Sequence, residues 1–303
     1  MTFLGNLAAF ADRKLLMPAV YPSRGRARPE RAPRVFPPMP SFAVDPFAAP
    51  ELPTFERSGD LVRFESPAWP LIDDVQDELL ARAENRVVPL HVRGPVRQRA
   101  VVLAAHGYLG GNPTVDRLGL AASRFEHAGY TFCHATLPFH GRRKPAGVRP
   151  FFPHPDPRIT FEALRQGALD LAAAVRVLRA LGARRVVLAG LSLGGYVAAL
   201  TATIADDLDG LVLLTPLASF RDLDAAPAHD ARDLLTATRA GVRTAKLPGS
   251  GVLVVGARED RIVPPAHARS LADSFKGELA LVEGAHLLPF GRDAVVDRWL
   301  ASR

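Results

Sequence analysis

Residues 190–194 read Gly190-Leu191-Ser192-Leu193-Gly194, a G-x-S-x-G pattern set between an apolar run at 185–189 and a helical stretch at 196–204. The spacing has a steric cause. A serine held on a sharp strand-to-helix turn leaves no room for side chains two residues either side, and glycines there free its Oγ above the sheet. The helix that follows aims its unpaired N–H groups and positive dipole end at the same point. Such a serine is a poor nucleophile at neutral pH. It needs a general base, and the base needs an orienting carboxylate.

Both partner types follow buried runs further along the chain. Asp260 lies just past the apolar segment 251–255, in Gly256-Ala-Arg-Glu-Asp-Arg-Ile-Val-Pro264, and His286 lies just past 278–282, in Glu283-Gly-Ala-His286. In open α/β sheets reactive groups collect at the carboxyl ends of the strands, where these two can converge on Ser192. Asp222, Asp224 and Asp230, after the preceding strand, are alternative acids, whereas Glu259 is expected to face away.

The elements that must position these residues alternate in type. Residues 87–92, 100–105, 130–137, 185–189, 211–214, 251–255 and 278–282 read as strands, and 100–105 is apolar throughout, as in a strand buried on both faces. Helices are expected at 113–128, 196–204, 265–275 and 294–300. Another is marked by Phe161, Leu164, Ala168, Leu171, Val175 and Leu178, which step by three and four up to Gly182. Strands alternating with helices of this length require a mainly parallel sheet with right-handed crossovers. The fold class is α/β, doubly wound.

The 303 residues, 48% of them hydrophobic, can bury about 75% of what the unfolded chain exposes, without disulfide or metal staples. The single cysteine, Cys133, fits a reducing compartment and reads as a core residue. No run reaches the ~18 apolar residues of a membrane span, and the first residues lack the basic start of a signal peptide, so a cytoplasmic protein with no integral membrane span is expected. The net charge of +7 concentrates in residues 1–40, where Arg13, Lys14, Arg24, Arg26, Arg28, Arg31 and Arg34 face only Asp12 and Glu30. These lie in a proline-rich arm rather than on a folded face with interleaved aromatics, which argues against nucleic acid as a partner. Phe3, Leu4, Leu7, Phe10, Ala11 and Leu15 are at helical spacing, and twelve prolines between Pro18 and Pro70 read as an extended wrap rather than sheet interior. The organisation expected is an N-terminal helix and proline-rich extension over 1–70, then a catalytic domain over 71–303 with a small helical cap at about 217–250. The extension is a candidate surface for a homodimer. Deleting residues 1–17 is expected to leave the catalytic rate unchanged.

The elbow, Gly256-Ala-Arg-Glu-Asp-Arg-Ile-Val-Pro264 and Glu283-Gly-Ala-His286, in the chain order serine, acid, histidine, resemble the α/β-hydrolase superfamily over about residues 85–303. Leu137-Pro-Phe-His-Gly-Arg-Arg-Lys-Pro-Ala-Gly147 further resembles bacterial abhydrolase-domain proteins. The resemblance implies Ser192 as nucleophile, His286 as general base and then acid, and Asp260 as the residue that fixes the imidazole tautomer. It also implies an oxyanion hole from the N–H of Leu193 and, in His106-Gly107-Tyr108-Leu109, that of Tyr108, with Leu109 as the fallback. Relatives of the dienelactone-hydrolase type carry cysteine at the elbow, and this chain does not.

Phe139 and His140, after the strand at 130–137, are candidate substrate-binding residues, with Phe151 and Phe152 adding to an apolar wall. His106 reads as a structural histidine, and Arg142 and Arg143 as candidates for an anionic substrate group or as solvated charges. Such a pocket suits a small-molecule acyl ester. Acyl transfer, amide or thioester cleavage would use the same triad, and a noncatalytic binding protein would need none of it. With neither H-E-x-x-H nor G-x-G-x-x-G after the first strand, no metal and no cofactor are implied.

Overall fold

Strand β4 (Ala100–Ala105) shows how the chain builds its interior. Val101, Leu103 and Ala105 point into one apolar cluster, while Val102 and Ala104 point into another on the opposite face. The same alternation runs through β6 (Arg185–Leu191), β7 (Gly210–Leu214) and β8 (Val252–Ala257), whose apolar residues divide between the two clusters. A strand covered on both faces carries no polar alternate positions, which is why these segments read as continuous apolar runs.

The computed structural model describes Ala8, Phe10, Asp12, residues 45–144, His154 and residues 156–220 and 247–303. Its sheet has ten strands. With β1 (Phe55–Ser58), β2 (Leu61–Glu65), β3 (Val87–Arg93), β5 (Thr131–Ala135), β9 (Glu278–Gly284) and β10 (Pro289–Phe290), the spatial order is β1-β2-β3-β5-β4-β6-β7-β8-β9-β10. Neighbours from β5 through β9 pair parallel, and the antiparallel pairs lie at the two edges. The order reverses around β4, so the loops after β4 and β6 open from adjacent strands at one end of the sheet.

The α-helices within residues 45–144, 156–220 and 247–303 are, in chain order, α1 (Asp73–Leu80), α2 (Ala83–Arg86), α3 (Asp116–Gly119), α4 (Ala122–His127), α5 (Pro157–Ala180), α6 (Leu193–Thr201), α7 (Pro265–Phe275) and α8 (Arg292–Ala301). The larger cluster takes α5, α6 and α7, through residues such as Leu171, Val197 and Leu271. The smaller takes α4 and α8, through Phe125 and Trp299. Among the described residues no helix is long and apolar enough to cross a membrane.

The boundary expected at residue 70 does not hold. Residues 54–66 are the longest proline-free window between Pro18 and Pro70, and there the chain forms the hairpin β1–β2, which pairs with β3 and extends the sheet. Phe47 also enters the larger cluster and meets Phe161 edge-on at 6.2 Å between ring centroids. Of the expected N-terminal helix, Ala8 and Phe10 are helical; Ala8 is buried, but Phe10 is 58% exposed and so lies off the docked face. The cap expected at 217–250 falls largely outside the described residues, as do Asp222, Asp224, Asp230, Phe151 and Phe152.

Arg143 is neither a solvated charge nor an anion receptor. Its guanidinium is buried and bonds Asp170 Oδ2 of α5 at 2.7 Å, Asn85 O at 2.7 Å and Thr136 O at 3.0 Å. Ser66 Oγ donates to the other Asp170 oxygen at 2.6 Å, and the N–H groups of Leu71 and Ile72 reach Glu162 Oε1 at 2.6 and 2.9 Å. The outer face of α5, polar in sequence, is thus a buried contact with residues 66–86. Its charges are matched one by one, as burial demands.

Candidate active site

The turn at Ser192 is strained. Its φ of 55° and ψ of −114° lie where a side chain is seldom tolerated, and the strain is held from several sides. Ser192 N–H donates to Leu214 O at 3.0 Å, and Ser192 O accepts from Leu217 N at 3.0 Å and Tyr196 N at 3.2 Å. The two glycines of the pattern are needed for the reason their spacing suggests. A Cβ on Gly194 would strike the carbonyl oxygens of Ala105 and His106, and one on Gly190 would strike the carbonyl of Gly194. Gly195 belongs to the same constraint, since its Cβ would sit 2.7 Å from Pro216 Cβ.

Above this turn three side chains from three strand ends form a line. Ser192 Oγ, after β6, lies 2.9 Å from His286 Nε2, after β9, and His286 Nδ1 lies 2.7 Å from Asp260 Oδ2, after β8. The other Asp260 oxygen accepts from Ile262 N at 2.9 Å and Val263 N at 2.8 Å, so the carboxylate cannot rotate without losing bonds. Glu259 turns instead to β9, where its carboxylate accepts from Gly284 N at 2.8 Å. Burial alone would lower the pKa of His286. The charge and hydrogen bond of Asp260 outweigh it, Asp12 adds to them, and the net shift is upward. The imidazole is therefore oriented through Nδ1 and made more basic at Nε2, the nitrogen that faces the serine.

Leu193, the residue after Ser192, opens α6, where a first-turn N–H has no acceptor within its own helix. The turn 106–111 lies beside it: a Cβ on Gly107 would stand 3.5 Å from Ser192 Cβ. This turn, which carries Tyr108, is fastened on several sides. Gly110 N–H donates to Gly107 O at 2.9 Å, Gly111 N–H to Asp116 at 2.7 Å, and His140 Nε2 lies 2.6 Å from Tyr108 O. His106 supports it from below. Its Nε2 accepts from Leu137 N at 3.1 Å, which leaves the proton on Nδ1 to bond Gly107 O at 2.7 Å. Burial, with the histidines 140 and 134 nearby, takes the His106 pKa down to about 3, so it stays neutral and structural.

Phe139 and His140 are scaffold rather than a free-standing substrate wall. Phe139 is wholly buried in the larger cluster, and its N–H donates to Asn85 Oδ1 at 3.0 Å. His140 is buried with its second ring nitrogen 2.8 Å from Pro138 O, so it steadies the turn that carries Tyr108. The segment folds inward because Asn85 and Arg143 hold it from beneath. Cys133 is likewise a core residue, its thiol pushed up to about 12 by burial. Among the described residues no group of His, Cys, Asp or Glu could hold a metal ion.

No protein-family model matches the chain, and no curated protein does. Solved structures do. TT1662 from Thermus thermophilus is 22% identical over 72% of this chain and 94% of its own, with a TM-score of 0.52. The Pyrococcus furiosus esterase Pf2001 is 15% identical over 71% and 87%, with a TM-score of 0.53. Est1E from Butyrivibrio proteoclasticus, solved with ferulic acid bound, is 16% identical over 71% and 95%, with a TM-score of 0.51. The fold is that of the α/β-hydrolases. An α/β-hydrolase fold accounts for the sheet order, the elbow after β6 and the strand ends that carry Asp260 and His286.

Sequence reasoning missed Asp12. Its carboxylate accepts from the backbone N–H groups of His286 at 2.6 Å and Leu287 at 2.8 Å. An isolated acid in a basic arm carries no signal of such a contact.

Proposed function

We propose that this chain is a serine hydrolase that cleaves carboxylic esters through an acyl-enzyme. The reading rests on one observation: Ser192 Oγ, His286 and Asp260 are linked at 2.9 and 2.7 Å through opposite nitrogens of one imidazole. That is the geometry a serine needs to lose its proton as it attacks.

In the first half-reaction Ser192 Oγ bonds to the ester carbonyl carbon while its proton passes to His286 Nε2. The imidazolium is stabilised by Asp260, which keeps its charge and accepts from Nδ1. The oxyanion is met by the N–H groups of Leu193 and Tyr108. Collapse breaks the bond to the alkoxy oxygen, which leaves as an alcohol with the proton from His286. In the second half-reaction water gives a proton to Nε2 and attacks the acyl carbon. The acid departs and Ser192 Oγ recovers its proton. The Pyrococcus furiosus esterase among the structural neighbours favours an ester as the scissile group.

The test is hydrolysis of p-nitrophenyl esters from acetyl to palmitoyl by wild type and Ser192→Ala, alongside fluorophosphonate labelling. Turnover and label present in wild type and lost in the variant are expected. Label without turnover would move the proposal to another acyl substrate, and a wild type that takes no label would overturn it.

A further inference from the structure

The strands β9 and β10 form a short antiparallel pair in which Gly284 faces Pro289 and Glu283 faces Phe290. The residues between them make a tight turn, closed by Ala285 N–H to Leu288 O at 3.3 Å. His286 and Leu287 stand at its tip, where neither amide has a ladder partner. Both amides instead donate to one carboxylate, that of Asp12, which lies 274 residues away from His286 in the chain. Asp12 is itself 2% exposed, and Ala8, one helical turn before it, is fully buried. Ala8 and Asp12 are therefore seated so that Asp12 delivers a buried acceptor to the backbone of the histidine turn.

We propose that Asp12 is a positioning residue of this site, its carboxylate clamping the His286–Leu287 backbone so that Nε2 stays on Ser192 Oγ. The proposal rests on the hydrolase reading for its kinetic consequences but not for its structural ones. Asp260 holds the imidazole by its side chain, and Asp12 holds the same residue by its main chain. With either gone, the ring retains one anchor and a freedom that the 2.9 Å contact with Ser192 does not tolerate.

Asp12 also acts through charge. The charged groups that bear on His286 are Asp260, against Nδ1, and Asp12, against its own N–H. Glu259 is engaged with Gly284 N, and Glu283 pairs with Arg258 at 3.4 Å. A negative Asp12 favours the imidazolium, so its removal lowers the pH at which the base becomes neutral. A part that only braced the fold would leave that pH where it was. The proposal opposes the expectation that residues 1–17 are dispensable for the catalytic rate.

The test uses full-length Asp12→Asn and Asp12→Ala. Asparagine keeps the shape but offers one acceptor, and its NH2 group must face one of the two N–H donors. Both variants are expected to keep KM for the best p-nitrophenyl ester within a few-fold and to lose about 10- to 100-fold in kcat. The acid limb of the pH–rate profile is expected to move to lower pH. Amide exchange in the peptide spanning 284–290 is expected to rise about tenfold, as each lost bond allows. If the alanine variant does not fold, the asparagine variant decides alone. Wild-type kcat, acid limb and exchange in a folded Asp12→Asn would overturn the proposal. Should fluorophosphonate fail to label the wild type, the hydrolase reading falls. Amide exchange and an NMR titration of His286 would still judge the clamp.

Discussion

Asp260→Asn is an isosteric change whose outcome is set by two backbone amides. Asp260 Oδ1 accepts from Ile262 and Val263, at 2.9 and 2.8 Å, while Oδ2 faces His286 Nδ1 at 2.7 Å. An asparagine there must choose which side receives its oxygen. Turning the NH2 group toward Ile262 and Val263 would leave two buried N–H donors without an acceptor, at about 1–3 kcal/mol each. Turning it toward His286 costs only one rearranged bond. The amide oxygen therefore stays on the two backbone donors, and the NH2 group faces Nδ1. That forces Nδ1 to accept, puts the imidazole proton on Nε2, and leaves Ser192 facing a donor where the proposed reaction needs a base. The expected loss is up to ~10⁴-fold in kcat, the scale seen for the wrong tautomer in such triads, with the fold intact. Stopped-flow hydrolysis of a p-nitrophenyl ester, with a thermal melt for each protein, measures both. A folded variant within tenfold of wild type would refute the tautomer argument and pass the role to another carboxylate, for which Asp224→Asn is the next test.

Further substitutions at Arg143, Asp170 and Gly194 test the scaffold. Arg143→Met leaves the buried Asp170 without the cation that is hydrogen-bonded to it, at about 3–5 kcal/mol by urea denaturation. Arg143→Met combined with Asp170→Leu should recover much of that, and a loss below ~1 kcal/mol in the single variant would mean that the pair is not buried as described. Gly194→Ala drives a methyl group onto the carbonyl oxygens of Ala105 and His106. It should lower stability by about 1–3 kcal/mol and abolish Ser192 labelling, whereas a wild-type melt with full labelling would refute the steric account of the elbow.

The parts of this molecule that were legible in the sequence are those whose signals are local. Strands β4, β6, β7 and β8 are buried on both faces and so read as unbroken apolar runs, while α5 carries its apolar residues at helical spacing. The elbow is legible because its constraint falls within five residues. Asp260 and His286 are legible only as polar residues just past buried strands, and their meeting follows from the parallel register of β6, β7, β8 and β9. Phe139 and His140 misled because an aromatic pair after a strand end looks the same whether it faces a pocket or the core. What turned it inward was Asn85, 54 residues upstream.

The remaining misses share a cause. The hairpin β1–β2, the buried polar face of α5 and the clamp at Asp12 all arise from chain that precedes residue 87. Each is visible only from its partner's side. Glu162, Arg165, Gln166 and Asp170 look like the solvent face of an amphipathic helix, because a helix records in its periodicity which side is apolar, not which side is covered. Covering that side requires a partner for every charge, and residues 66–86, with Arg143, supply them. The same logic holds at His286. The β9–β10 ladder leaves the amides of His286 and Leu287, at the tip of its turn, without a strand partner. The chain satisfies them with a carboxylate from its twelfth residue rather than with water. Water would satisfy the donors equally well but would not fix the backbone, because it is free to exchange and reorient. A buried carboxylate bound to both amides at once holds the turn in a single position. On the proposed reading, Asp12 thereby joins the site that the rest of the chain builds.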